Sequence, residues 1–333
     1  MQLPNSVRPI LAIGSVLLLQ ILVVDSISAQ KMSQVLIAPY QNSNGFPWIA
    51  SGPKWYAGEI VRFDARQLVL QSEGEQPQSF DAELVIGLRP HWESDRAAEA
   101  DSFYRAGEYR QAVEKVPAAL QSGIPLWQQQ LLVVELVRGI EEVVSPRVAF
   151  LQYLKLAATQ PPVMYYGDLP LCWTSREPDS ALRDRAIEWV KDADEHARLM
   201  GASWLLLGPE SQIAMHALQE LRLSKNEAIA KLAVTQLWRI SPPSETMQSL
   251  SNWRSYRDQL VLPIQLGPSE FLAERLFRIG QHDLALGEWS RIVAIHSEQP
   301  IRVARCREAI AKCLKQAGRE ADLEKLSHLF PKP

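Results

Sequence analysis

Much of the usual vocabulary of chemistry is missing from these 333 residues. The 16 glycines are scattered, mostly where helices should end, and none forms a phosphate-cradling loop. There is no Gly-x-Ser-x-Gly elbow, no His-Glu-x-x-His helix and no Cys-x-x-Cys pair. Three cysteines are too few for a disulfide framework. Cys306 and Cys313 stand seven apart on one expected helix, roughly 10 Å along its axis, which is beyond disulfide reach. Both fall in an apolar stripe, so core packing is the better reading, and Cys172 meets either one only if the fold brings them together. A net charge of −3 gives no electrostatic case for DNA, RNA or an anionic membrane as partner.

Long apolar runs are scarce too, with one exception. Ile10–Val24 is apolar apart from Gly14, Ser15 and Gln20, follows Arg8, and leads into Ser26-Ile27-Ser28-Ala29. This pattern predicts a signal peptide over 1–29, cleaved after Ser28 or Ala29. The run is short for a membrane span, which needs about 20 residues, so no integral span is expected once the leader is removed. An uncleaved anchor is the alternative. Export to the periplasm or medium is therefore expected, and no cysteine follows the run to suggest a lipid anchor. The remainder is long enough for one large domain, or for a helical array plus a small module.

From 33 to 92 the runs are short, β-branched or aromatic. Val35–Ala38 precedes Asn42–Gly45, a turn-rich stretch. Trp55–Phe63, a turn at Asp64-Ala65-Arg66, Gln67–Gln71, a loop holding Gly74 and Pro77, then Ser79-Phe80 and Val85–Leu88 read as a meander of four or five strands. Their order is similar to SH3-like or Sm-like barrels, and a small antiparallel β-barrel-like domain is the expectation that resemblance carries. Trp48, Trp55, Tyr56 and Trp92 either form an aromatic platform or plug the barrel ends and its seam with the helices. The second is the simpler reading.

Beyond Asp95 the hydrophobic period changes from two to 3.6. Ala100, Phe103, Tyr104, Gly107, Tyr109, Ala112, Ala119 and Leu120 resemble a tetratricopeptide repeat: small residues let two helices approach, and aromatics fill the space beside them. Arg96 departs from that pattern. So does Pro117, which should shorten or kink the second helix. Leu272, Ala273, Leu276, Phe277, Gly280, Ala285 and Trp289 take the corresponding places near the C-terminus, with His282 where an aromatic is usual. Ala311, Leu314 and Gly318 begin a further degenerate copy. Val303, Cys306, Ile310, Cys313, Leu314 and Ala317 form one stripe that must stack on a neighbour. Between these ends Glu210–Leu223 and Ala228–Ile240 resemble a HEAT-type hairpin, with Ser224–Glu227 read as a capping box. The resemblances imply a mainly α fold over 95–330, an α-α superhelix of TPR/HEAT-like hairpins, preceded by the β module.

Candidate chemistry is thin. Asp192, Asp194, Glu195 and His196 have two-ligand metal spacing, yet a helix junction with Asp194 as N-cap explains them better. Of the histidines at 91, 196, 216, 282, 296 and 328 none has a local nucleophile motif. Cys172 with a histidine and Asp168 is the single nucleophile idea, set against Cys172 as a small buried hydrophobe. Arg305, Lys312, Lys315 and Arg319 read as a solvated helix face. No catalytic, cofactor or metal residue is named and no cofactor is expected. The resemblance to helical-repeat proteins points to a non-catalytic scaffold binding a peptide or protein on its helical surface. Two alternatives stand beside it. One is an exported hydrolase-type enzyme with its site in the proline-rich stretch 160–178, where Tyr165, Tyr166, Asp168 and Trp173 would line a cleft. The other is a purely structural envelope component docked through the β module.

Overall fold

A computed structural model describes residues 32–39, 53–72 and 74–326. The leader, the turn at 42–45, Trp48 and His328 lie outside the described residues. Five strands form one antiparallel sheet: β1 (Ser33–Ile37), β2 (Lys54–Phe63), β3 (Gln67–Gln71), β4 (Gln78–Asp81) and β5 (Val85–Arg89). Their order is β4-β3-β2-β1-β5. The expected closure into a barrel does not occur, because β4 and β5 stand at opposite edges. The far end of the chain packs on β5 through side chains. Arg89 Nε and Nη2 donate to the Glu298 carboxylate at 2.9 and 2.8 Å, and a Cβ on Gly87 would lie 2.9 Å from the Glu298 side chain.

Thirteen α-helices follow among the described residues: α1 (Asp95–Arg105), α2 (Tyr109–Leu120), α3 (Leu126–Val143), α4 (Pro146–Ala157), α5 (Ser180–Trp189), α6 (Glu195–Leu205), α7 (Ser211–Leu221), α8 (Glu227–Leu237), α9 (Thr246–Asp258), α10 (Leu266–Arg278), α11 (His282–Ile295), α12 (Pro300–Gln316) and α13 (Glu320–Leu326). Most pack against their neighbours in sequence, as a succession of hairpins should. None of the described helices is long and apolar enough to cross a membrane.

The three glycine turns share one geometry. Gly107, Gly280 and Gly318 have φ of 81°, 76° and 68°. After α1, Glu108 N–H donates to Phe103 O and Gly107 N–H to Tyr104 O. The same pair of bonds closes α10, from Gln281 to Leu276 and Gly280 to Phe277, and α12, from Arg319 to Leu314 and Gly318 to Lys315. That pattern satisfies the last carbonyls and needs a left-handed residue, which only glycine supplies without strain. The alanines do what the spacing predicts: Ala100, Ala112, Ala273 and Ala285 are buried at 0–2% exposure.

Two local expectations shift. Pro117 lies inside α2 without ending it, since the helix runs on to Leu120. The cap of α8 is Asn226, whose side chain accepts from Ile229 N–H, and not Ser224. Ser224 Oγ instead accepts from Asn226 N–H and donates to Glu195, so its hydroxyl ties the turn to α6. Asp194 is the N-cap of α6 as expected, accepting from His196 and Ala197 N–H.

One hydrophobic core runs from Val35 in the sheet to Leu314 in α12. Each fully buried leucine in it, such as Leu132, Leu199 or Leu276, contributes about 1.5–3 kcal/mol. The array returns on itself. Besides Arg89–Glu298, Arg305 pairs with Glu142 on α3, and Ile301 packs with Tyr104 and Ala112. The stretch 160–178 fills the space between, and this is where the fold departs furthest from a surface loop. Pro161, Pro162, Tyr165 and 168–173 are buried, around a 3₁₀ turn at Val163–Asp168. Buried irregular backbone needs partners, and distant side chains supply them. Trp204 Nε1 donates to Pro170 O at 2.9 Å, Arg302 Nη2 to Gly167 O at 3.0 Å, and Ser203 Oγ accepts from Cys172 N–H at 2.8 Å.

Candidate functional site

Where the buried stretch surfaces again, at Trp173–Ser175, it borders an open groove of about 450 Å³. Its other walls come from the turn after α6 (Leu207), the corner between α8 and α9 (Arg239–Pro243), and the last two turns of α10 (Phe271–Ile279). Each wall is set by a local cause. Pro242-Pro243 stops the helix after Ile240, because neither proline offers an N–H and each bars helical backbone before it. Trp173 is seated against Gly267, where any Cβ would fall inside the indole ring. Leu207 and Ile240 are left 50% and 43% exposed at the rim.

That glycine gives a direct test. Gly267→Ala displaces the Trp173 ring from its seat and lowers stability by about 1–3 kcal/mol, the range for an overpacked core. Urea midpoints of the two proteins measure it, and equal midpoints contradict the seating.

The groove is rich in arginine. Arg239 is 5% exposed and donates to Ser203 O (2.7 Å), Gln236 Oε1 (2.7 Å) and Thr174 O (3.1 Å). Burial lowers its proton affinity, while the adjacent Cys172 sulfur works the other way. Arg275 donates to Arg239 O at 3.2 Å and lies 5.2 Å over the Phe271 ring. Burial and then the neighbouring Arg278 charge pull it below the usual arginine value. Arg278 is paired with Glu274.

A second, charged region lies at the opposite seam, where β5, α1 and the turn before α12 meet. Arg89, Asp101, Arg105 and Glu298 border a cleft of about 490 Å³. These four charges pair among themselves, with Arg105 Nε on Asp101 at 2.7 Å. Arg105 and Glu298 also border a chamber of about 30 Å³, lined by Tyr104, Glu135, Arg138, His296 and Gln299. That is room for one or two waters. Glu135 is 3% exposed, and its Oε2 and the Gln299 Oε1 have no hydrogen-bond partner. Burial, then the adjacent Asp101 carboxylate, raises the Glu135 carboxyl well above the ordinary range. Burial pushes the Tyr104 phenol up to about 12. His296 is pushed down to about 3, by burial first and then by Arg302, Arg138 and Arg291.

The residues singled out in the sequence are dispersed by the fold. Asp168 has both oxygens on Arg138, at 2.7 and 2.8 Å, with Arg302 3.9 Å away, and its side chain is fully buried. Burial alone would lower the Arg138 guanidinium, but Asp168 and Tyr104 hold it above its usual value. Cys172 is 3% exposed, its thiol directed at Thr174 O and Arg176 O. Tyr165 is buried at the seam, edge-on to Phe63 of the sheet, and the Tyr166 hydroxyl accepts from Asn226. Only Trp173 of the four cleft candidates reaches the groove. Trp55 lies under Arg89 at 4.4 Å, Tyr56 packs on Phe80, and Trp92 is buried with its Nε1 on Asp101. These three serve separate contacts and make no common platform. Cys313 approaches His282 Nδ1 at 3.6 Å, with its thiol raised by burial first and then by Asp283. No group of three His, Cys, Asp or Glu able to hold a metal occurs among the described residues.

Arg239, Arg275 and His296 carry no local mark in the sequence. Glu135 and Arg138 do: they are charges three apart inside the apolar run Leu131–Ile140, a spacing that puts both on one helix face. Comparison with protein-family models, with curated proteins and with solved structures gives no match for the chain.

Proposed function

We propose that the chain is a non-catalytic scaffold of degenerate tetratricopeptide-like and HEAT-like hairpins, which holds a peptide or protein segment in the groove beside Trp173. Its place of work is the periplasm or the medium, after removal of the leader over 1–29. The observation that carries the reading is the groove itself: about 450 Å³, open, with Leu207 and Ile240 left exposed at its rim. Apolar side chains exposed together beside a concave surface mark sites where another chain is bound. The repeated glycine-turn geometry after α1, α10 and α12 supports the repeat reading. The enzyme alternative loses its acid, because Asp168 is saturated by Arg138, and its thiol, because Cys172 is sealed under backbone carbonyls.

A photo-crosslinking residue placed at Ser175, in the groove, is expected to capture a partner from the native cell envelope. The same residue at Glu83, exposed on the 3₁₀ turn between β4 and β5, should not capture it. Capture from both positions alike, or from neither together with turnover of a cell-wall substrate, rules against the scaffold. N-terminal sequencing of the exported protein should begin at Ala29 or Gln30.

A further inference from the structure

We propose that the segment bound in the groove is acidic, with an Asp or Glu side chain set against Arg275 and an apolar neighbour lying against Leu207 and Ile240. The inference rests on the binding reading above and adds the sign of the ligand's charge.

The charge count of the groove carries it. Arg239, Arg275 and Arg278 line it, with Glu274 as the facing acid. Glu274 is already used: its Oε1 accepts from both Nε and Nη2 of Arg278, at 3.0 and 2.7 Å. Arg239 and Arg275 have no carboxylate within ion-pair distance among the described residues; their hydrogen bonds go to carbonyl and amide oxygens. Helices α6, α8 and α10 end at this groove, and each C-terminus presents about half a negative charge. Arg239 caps one of them through Ser203 O. Two whole guanidinium charges exceed three such half charges, so the groove stays positive. Burial, then the like charge of Arg278, lowers the proton affinity of Arg275.

Geometry allots the two roles. Arg239 sits deep, with both Nη groups already hydrogen-bonded and its Nε buried away from the opening. Arg275 is half-buried, has a guanidinium edge left, and is steadied over the Phe271 ring, so it is the group a carboxylate meets. A guanidinium presents a planar fork that matches a carboxylate edge to edge. Leu207 and Ile240 flank the same opening and offer the flanking apolar residue a place to land.

The test uses the full chain and fluorescein-labelled pentapeptide pools with Leu or Phe at alternate positions. Three pools differ only between those positions, carrying Asp/Glu, Asn/Gln or Lys/Arg. Anisotropy should show the acidic pool binding at least tenfold tighter than the amide pool, with affinity falling as salt rises. Arg275→Glu should abolish that preference and favour the basic pool, while Arg275→Lys retains much of it. Circular dichroism establishes that each variant is folded. If the acidic and amide pools bind equally and both are lost in Ile240→Ser, the groove reading stands and the charge inference fails. An acidic preference untouched by Arg275→Glu places the charge elsewhere and also sinks the inference. Binding by none of the pools removes the groove reading, and this proposal with it.

Discussion

Asp168→Asn is expected to cost the folded chain about 3–5 kcal/mol, the usual loss when one member of a buried ion pair is removed. Asp168 has no exposed side-chain surface and receives both donors of the Arg138 fork, with Arg302 close behind. Asparagine keeps the shape and one acceptor but leaves the Arg138 guanidinium short of its counter-charge, while Arg302 retains Glu270 at 3.2 Å. Replacing both partners by apolar residues of similar volume, Arg138→Met with Asp168→Leu, should cost less than Asp168→Asn alone, because the stranded charge is then gone. Urea midpoints of the three proteins, at matched slopes, decide the matter. A loss under about 1 kcal/mol for Asp168→Asn would show that water reaches the pair.

Acid should destabilise the protein through His296. Its folded value is about 3 against an ordinary 6.5, so between those limits the unfolded chain binds the proton and the folded one does not. Stability attributable to this group is therefore whole above pH 6.5 and drains away as pH falls toward 3. The lost contribution is on the order of 3 kcal/mol by pH 4. Glu135 runs in the opposite sense: its raised carboxyl favours the fold at low pH, and that contribution is lost as pH rises. His296→Gln is neutral throughout and should keep a higher thermal midpoint than the parent relative to its own value at pH 7, once pH drops below about 5. Parallel curves for the two proteins from pH 7 to 4 would mean that the imidazole is not sealed from solvent.

What was readable in advance was local. Gly107, Gly280 and Gly318 announce their helix ends because a left-handed cap depends on a few adjacent residues. Asp194 announces the α5–α6 break for the same reason. The prolines of 160–178 foretell an irregular path, but not that it runs through the interior, which depends on Ser203, Trp204 and Arg302 contributed from elsewhere. Likewise the five strands are visible, whereas their order, with β4 and β5 at opposite edges, depends on pairings between segments distant in sequence. Ser224 misled because a serine three residues before a glutamate satisfies the capping-box pattern, while Asn226 competes for the same role two positions later. The groove was hidden for a comparable reason. Arg239 and Arg275 stand 36 positions apart and meet only after α8 and α10 are in place.

The bond between Arg89 and Glu298 joins residues 209 positions apart, and this bears on how the molecule comes into being. Synthesis delivers the sheet and the first hairpins long before α12 exists, so the surface of β5 at Gly87 and Arg89 and the chamber beside Arg138 must wait, uncovered, for the tail. Closing so distant a contact is slow and depends on everything between being roughly in position. The final hairpin therefore works as a latch. A nascent chain halted before residue 297 would expose that surface and a half-neutralised cluster of arginines, the kind of surface that chaperones bind and proteases cut.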